Sequence, residues 1–154
     1  MSPQTLAIFS FLHDLFSATW IGGMIAVGLS FHPAAVQVLG QSPQTKKLIS
    51  TMQKRQSVLA YISMAGAALT GPSLAKQSAA FSGMFHWNNT YTSMVSTKAV
   101  LVLIMIAIAL TRTLVLGKGQ PTPQRSKLSV QLLYFNIALA LIVLLLSSFG
   151  AMLA

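Results

Sequence analysis

The sequence predicts an all-α integral membrane bundle of four transmembrane helices, and three observations carry that expectation. Four apolar stretches each approach or exceed the roughly 20 residues that a helix needs to cross the hydrocarbon of a bilayer. Only 7% of the 154 residues are charged, against about 25% in a soluble domain. The cationic residues gather in two connections, the pattern of loops that stay on the inner side of a membrane. With a mean hydropathy of +0.69, water is not the main solvent of this chain, and the lipid bilayer is its first expected partner. Residues 1–154 read as a single domain.

The first span is placed at Leu6 to Phe31. No basic stretch precedes it, and its apolar run is longer than that of a signal peptide, so it is read as retained. At about 100° per residue, His13, Phe16, Ser17, Trp20, Met24 and Phe31 share one stripe. Ala18, Gly22, Ala26 and Ser30, four apart, form a small-residue ridge on the opposite side, suited to close packing of another membrane helix. This helix is therefore expected between a pocket on its bulky face and a tight helix contact on its small one. The connection from His32 to Gln56 holds Pro33, Gly40, Pro43, Lys46, Lys47, Lys54 and Arg55, and its central part is predicted as a short interfacial helix.

The second span is Ser57 to Ala75, followed by Lys76 to Ser93, rich in Ser, Asn and aromatic residues. The third is Met94 to Leu116, followed by Gly117 to Ser129 with the loop signature Gly-Lys-Gly-Gln-Pro-Thr-Pro. The fourth is Val130 to Leu153. The first connection, together with Arg112, Lys118, Arg125 and Lys127, carries most of the positive charge, while the second connection has only Lys76, with Lys98 just inside the next helix. The charge rule then puts both termini and the second connection outside, N-out and C-out, as expected of a bacterial inner-membrane protein. The net charge of +9, from ten Lys and Arg against one acid, reads as a topology signal and not as a nucleic-acid surface.

There is no cysteine, which excludes disulfides, zinc knuckles, iron–sulfur clusters and covalent haem attachment. A metal or cofactor must be held by His, Met, Lys or backbone. Ionisable groups within a span are costly and are site candidates by default; here they are His13, Asp14, Lys98 and Arg112. The neutral ring of His13 needs both a donor and an acceptor partner, so it is either a satisfied core histidine or a ligand. As a ligand it would suit haem b iron, with the porphyrin against Phe16, Ser17 and Trp20. Lys98 either snorkels to the outer headgroups or neutralises an anionic substituent of a haem, porphyrin or quinone. Asp14 points about 100° away from His13 on a helix, and Lys98 or Lys76 is its expected counter-ion. Met84 and His86, in Gly-Met-Phe-His-Trp, are of the ligand types that copper takes. His86 is also a candidate second axial ligand, and Phe85, Trp87 and Tyr91 fit an interfacial aromatic belt. His32 lies nineteen residues beyond His13, about 28 Å along a helix, too far to share one iron.

Phe11-Leu-His-Asp-Leu-Phe-Ser-Ala-Thr-Trp-Ile-Gly-Gly-Met24 resembles the opening helix of the CopD-like and HemJ-like membrane families, in which a histidine is followed seven residues later by Trp and small residues. Thr90-Tyr91 through Lys98 to Arg112 is similar to their third helix, and Ala67-Ala68-Leu69-Thr70-Gly71 to the Thr-Gly end of their second. The HemJ-like resemblance implies b-type haem and protoporphyrinogen oxidation, with His13 and Lys98 at the positions of its histidine and lysine; the CopD-like one implies copper uptake or resistance. The fourth helix departs from the HemJ-like pattern: Phe135-Asn136-Ile137-Ala138 stands where Asn-Glu-x-Pro is expected.

Three functions follow as expectations. The first is a b-type haem protein in electron transfer or quinone-linked redox chemistry near the outer face, a haem-dependent oxidoreductase being one form of it. The second is copper transport. The third is a small structural subunit, as a homo-oligomer or within a larger respiratory or photosynthetic complex.

Overall fold

A computed structural model describes residues 1–117 and 122–152. Four helices make the molecule: α1 Pro3–Leu39, α2 Pro43–Ala75, α3 Thr90–Leu116 and α4 Pro123–Ala151. Each is long and apolar enough to cross a membrane, and the chain is a multi-pass integral membrane protein of all-α architecture. Lys118, Gly119 and Leu153, used above to place a loop and a span, lie outside the described residues.

Each helix begins where its sequence offers a side-chain acceptor. The side chains of Ser2, Ser42, Asn89 and Thr122 accept from the backbone N–H three residues on, and α1, α2 and α4 carry proline in the first turn, where a missing N–H costs nothing. α1 stops at Gly40, whose φ of +64° is open to glycine and strained for most other residues.

The first connection differs from expectation. It is not a loop around a short interfacial helix: α1 runs on to Leu39 and α2 starts at Pro43, so only residues 40–42 separate them. Proline removes a helical N–H and crowds the carbonyl four residues back, yet Pro33 does not end α1. The turns just before it, Ala26–Phe31, are widened to π-helix, which absorbs the misfit. Two further π-helical segments interrupt the ladders, Ala18–Gly22 in α1 and Thr111–Leu116 in α3.

The most extensive pairings are α1 with α2 and α3 with α4. Lipid tails are as apolar as leucine, so helix association in a membrane rests on close packing and interhelical hydrogen bonds. Both are present. The Phe16 ring lies directly on Gly66 of α2, where any Cβ would overlap it. Gly28 meets Ile137 and Leu133 of α4, and the Tyr134 hydroxyl donates to the Gly28 carbonyl at 3.3 Å. Trp20, Met24, Met64, Met105, Ile137 and Ala140 fill the centre.

The small-residue ridge of α1 makes no close helix contact within this chain. Ala18, Gly22, Ala26 and Ser30 are all exposed, and nothing lies within 4 Å of a Cβ placed on Gly22. Within the chain the close approaches are made elsewhere: Gly66 of α2 receives Phe16, while Gly23 and Gly28 of α1 receive Gln56 and Ile137.

Candidate functional site at His13

His13 is partly buried between α1 and α2. Its Nδ1 lies 2.9 Å from the Thr70 hydroxyl. That hydroxyl has one proton, and the carbonyl of Gly66, 2.8 Å away, can only accept it. Thr70 therefore donates to Gly66 and accepts from His13, which makes Nδ1 the protonated nitrogen and leaves the Nε2 lone pair free. A side-chain oxygen on one nitrogen, fixing the ring and its tautomer, is the usual support of a metal-ligating histidine. Gly71 completes the seat: a Cβ there would come within 3.1 Å of His13 Cε1.

The other expected site residues are placed as follows. Phe16 is covered by Gly66, Ser17 is partly buried, and Trp20 is 3% exposed in the core. The face assigned to a macrocycle is thus occupied largely by α2. Lys98 reaches α4, where Nζ donates to Ser147 Oγ at 3.4 Å. Asp14, which is exposed, and Lys98 are the charged groups whose fields reach the His13 ring. His86 is exposed in the second connection; its Nδ1 donates to the Met84 carbonyl at 3.0 Å, and its ring packs on Gly83. Neither bond brings it to His13. Phe85 and Trp87 are exposed, Phe85 with a φ of +60°. His32 sits toward the opposite end of α1.

The positioning role of Thr70 was hidden in the sequence, because it depends on two residues 57 apart. Its one local signal is the small pair Thr70-Gly71 within an apolar helix, and that pair entered only through a resemblance. Among the described residues no group of three or more His, Cys, Asp or Glu converges. Comparison with protein-family models, with curated proteins and with solved structures found no match to this chain.

Proposed function

We propose that this chain is a b-type haem protein of the bacterial inner membrane, in which His13 would hold the haem iron near the end of the bundle that carries both termini. The supporting observation is the Gly66–Thr70–His13 hydrogen-bond chain, which orients the ring through Nδ1 and leaves Nε2 as the nitrogen that could bind a metal. A lone histidine suits a metal that brings its other ligands with it, as the porphyrin nitrogens do. Haem, when bound, supplies a one-electron iron couple, serving electron transfer or a quinone-linked reaction. The chain holds the ligand in place through Thr70 and Gly71, packs α1 on α2 through Phe16 and Trp20, and sets the positive charge of Lys98 near the ring to receive an anionic substituent.

The test is a reduced-minus-oxidised optical spectrum of protein purified from haem-replete cells. A b-type signal is expected in the parent and in His32→Ala, and its loss in His13→Ala. A colourless parent, or an unchanged spectrum in His13→Ala, overturns the assignment. A copper-transport reading has one observation of its own: the Met84 carbonyl fixes His86 in the same tautomer as His13, leaving a second free Nε2. Copper retained by haem-free protein and lost in His86→Ala would favour it. Orientation is checked by an impermeant thiol reagent, expected to label Ser82→Cys in intact cells and Ser50→Cys only after permeabilisation.

A further inference from the structure

The single acid of the chain, Asp14, stands where a membrane helix rarely carries one. Its neighbour His13 is level with Thr70 of α2, six residues and about 9 Å inside the Lys76 cap of that helix. Asp14 is nonetheless exposed. At this depth its carboxylate faces lipid, and so short a side chain cannot climb to the headgroups as Lys and Arg do. Carboxylates within a span normally face the bundle interior and are paired, because a lone charge in hydrocarbon is costly.

Among the described residues neither expected counter-ion pairs with it. Lys98 lies seven residues before Met105, which is 0% exposed, and so shares the core-facing side of α3; its Nζ donates to Ser147 Oγ of α4. Lys76 sits at the far end of α2.

Asp14 also heads a row at four-residue spacing, with Ala18, Gly22, Ala26 and Ser30, all exposed and none bulky. Nothing lies within 4 Å of a Cβ on Gly22. Ala18 and Gly22 bound a π-helical segment that has no proline close behind it, unlike Ala26–Phe31, and widened turns of this kind recur at functional sites. A smooth face lets another helix approach closely, and in hydrocarbon close packing and polar contacts are what hold helices together. A second copy of this chain does not supply the missing charge. A two-fold contact through this row turns carboxylate toward carboxylate, and Lys98 of the copy faces its own core.

We propose that the face of α1 from Asp14 to Ser30 docks a helix of a different membrane protein, one that carries a Lys or Arg side chain in the outer half of its span, opposite Asp14. The small residues set the close approach of the two backbones, and the basic group gives the carboxylate its counter-ion away from water. The charge also fixes the register, since sliding one helix by a turn parts the pair.

The experiment reconstitutes the full chain in phosphatidylcholine vesicles and reads energy transfer to designed single-span peptides. Each peptide is Leu-rich with Ala or Gly at every fourth position of one face, and the three differ at one position two turns from the end, which holds Lys, Leu or Glu. The Lys peptide is expected to associate about tenfold more tightly than the Leu peptide, the scale of a polar contact between membrane helices, and the Glu peptide most weakly. Asp14→Asn should bring the Lys peptide down to the Leu level, and Asp14→Lys should reverse the order in favour of Glu. Gly22→Leu, at a position with free space around it, should weaken association of all three peptides, whereas Leu145→Ala, on an exposed face of α4, should leave it unchanged. Because the chain has no cysteine, Gly22→Cys reports contact between copies. Equal binding of the Lys and Leu peptides to the parent, a Lys preference that survives in Asp14→Asn, or association untouched by Gly22→Leu overturns the proposal. So does ready self-crosslinking of Gly22→Cys, which assigns the face to a second copy of the chain.

Discussion

Two regions of the bundle treat buried polar groups in opposite ways. At the end that carries the termini, Thr92 and Ser96 are wholly buried and fully engaged. The Thr92 hydroxyl donates to the Ala80 carbonyl at 3.0 Å and accepts from the Ser82 backbone N–H at 3.2 Å, while Ser96 donates to the His86 carbonyl at 2.8 Å. His13 is fixed there by Thr70. Near the middle of α2 and α4, Gln56 and Asn136 keep one buried atom each without a partner. A satisfied network holds side chains still and suits the positioning of a ligand-bearing histidine. An unsatisfied one carries a cost that a bound molecule can relieve.

That contrast is open to direct attack. The largest effect is expected from Gly66→Leu, which drives a side chain into the Phe16 ring and parts α1 from α2. Overpacking of this kind costs about 1–3 kcal/mol or more, and a lowered thermal midpoint together with loss of any His13-dependent spectrum would show that the ordered end rests on this contact.

Next comes Thr92→Val, which strands the Ser82 N–H and takes from the Ala80 carbonyl one of its two donors, leaving Asn89 Nδ2 at 2.8 Å, and should cost about 1–3 kcal/mol. Asn136→Leu sharpens the comparison from the other side. It gives up one long hydrogen bond but also removes an acceptor that already lacks a partner, so it should cost less than about 1 kcal/mol. Equal losses in the two variants, measured by thermal or denaturant unfolding in the same detergent, would erase the distinction between the two regions. The smallest change in stability is expected from Thr70→Val, at about 1 kcal/mol. Its diagnostic effect is on cofactor retention, which should weaken by about 10–100-fold, as for other residues that orient a metal ligand, while the spectral class stays the same.

Much of the fold was legible because the membrane leaves few alternatives. Apolar runs of the required length, separated by Gly, Pro and basic residues, allow little other than a helical bundle, but hydropathy began the spans at Leu6, Ser57, Met94 and Val130, whereas the helices begin earlier, at Pro3, Pro43, Thr90 and Pro123. Pro33 and Gly40 misled, because the effect of a proline depends on whether the preceding turns can widen. The inward stripe of α1 was read correctly from its spacing, with Trp20 and Met24 buried. What lies against that stripe could not be read, since Gly66 and Gly71 are distant in sequence and look like any small residues of a membrane helix. The candidate sites divide in the same way. His13 stood out as an ionisable group within a span, whereas its support by Thr70 exists only once α1 and α2 pack together.

The length of the first hairpin has a consequence for how the molecule rides in its bilayer. α1 and α2 contain 37 and 33 residues, about 55 and 50 Å at 1.5 Å per residue, against a hydrocarbon thickness of about 30 Å. The surplus extends past the basic end, where Lys46, Lys47, Lys54 and Arg55 are exposed. Ammonium and guanidinium groups resist being pulled into hydrocarbon, so this end is moored at the headgroups. The opposite end has few such anchors, and differences in bilayer thickness would therefore be taken up there. The depth of His13 below the lipid surface then becomes a variable set by the membrane and not by the protein alone.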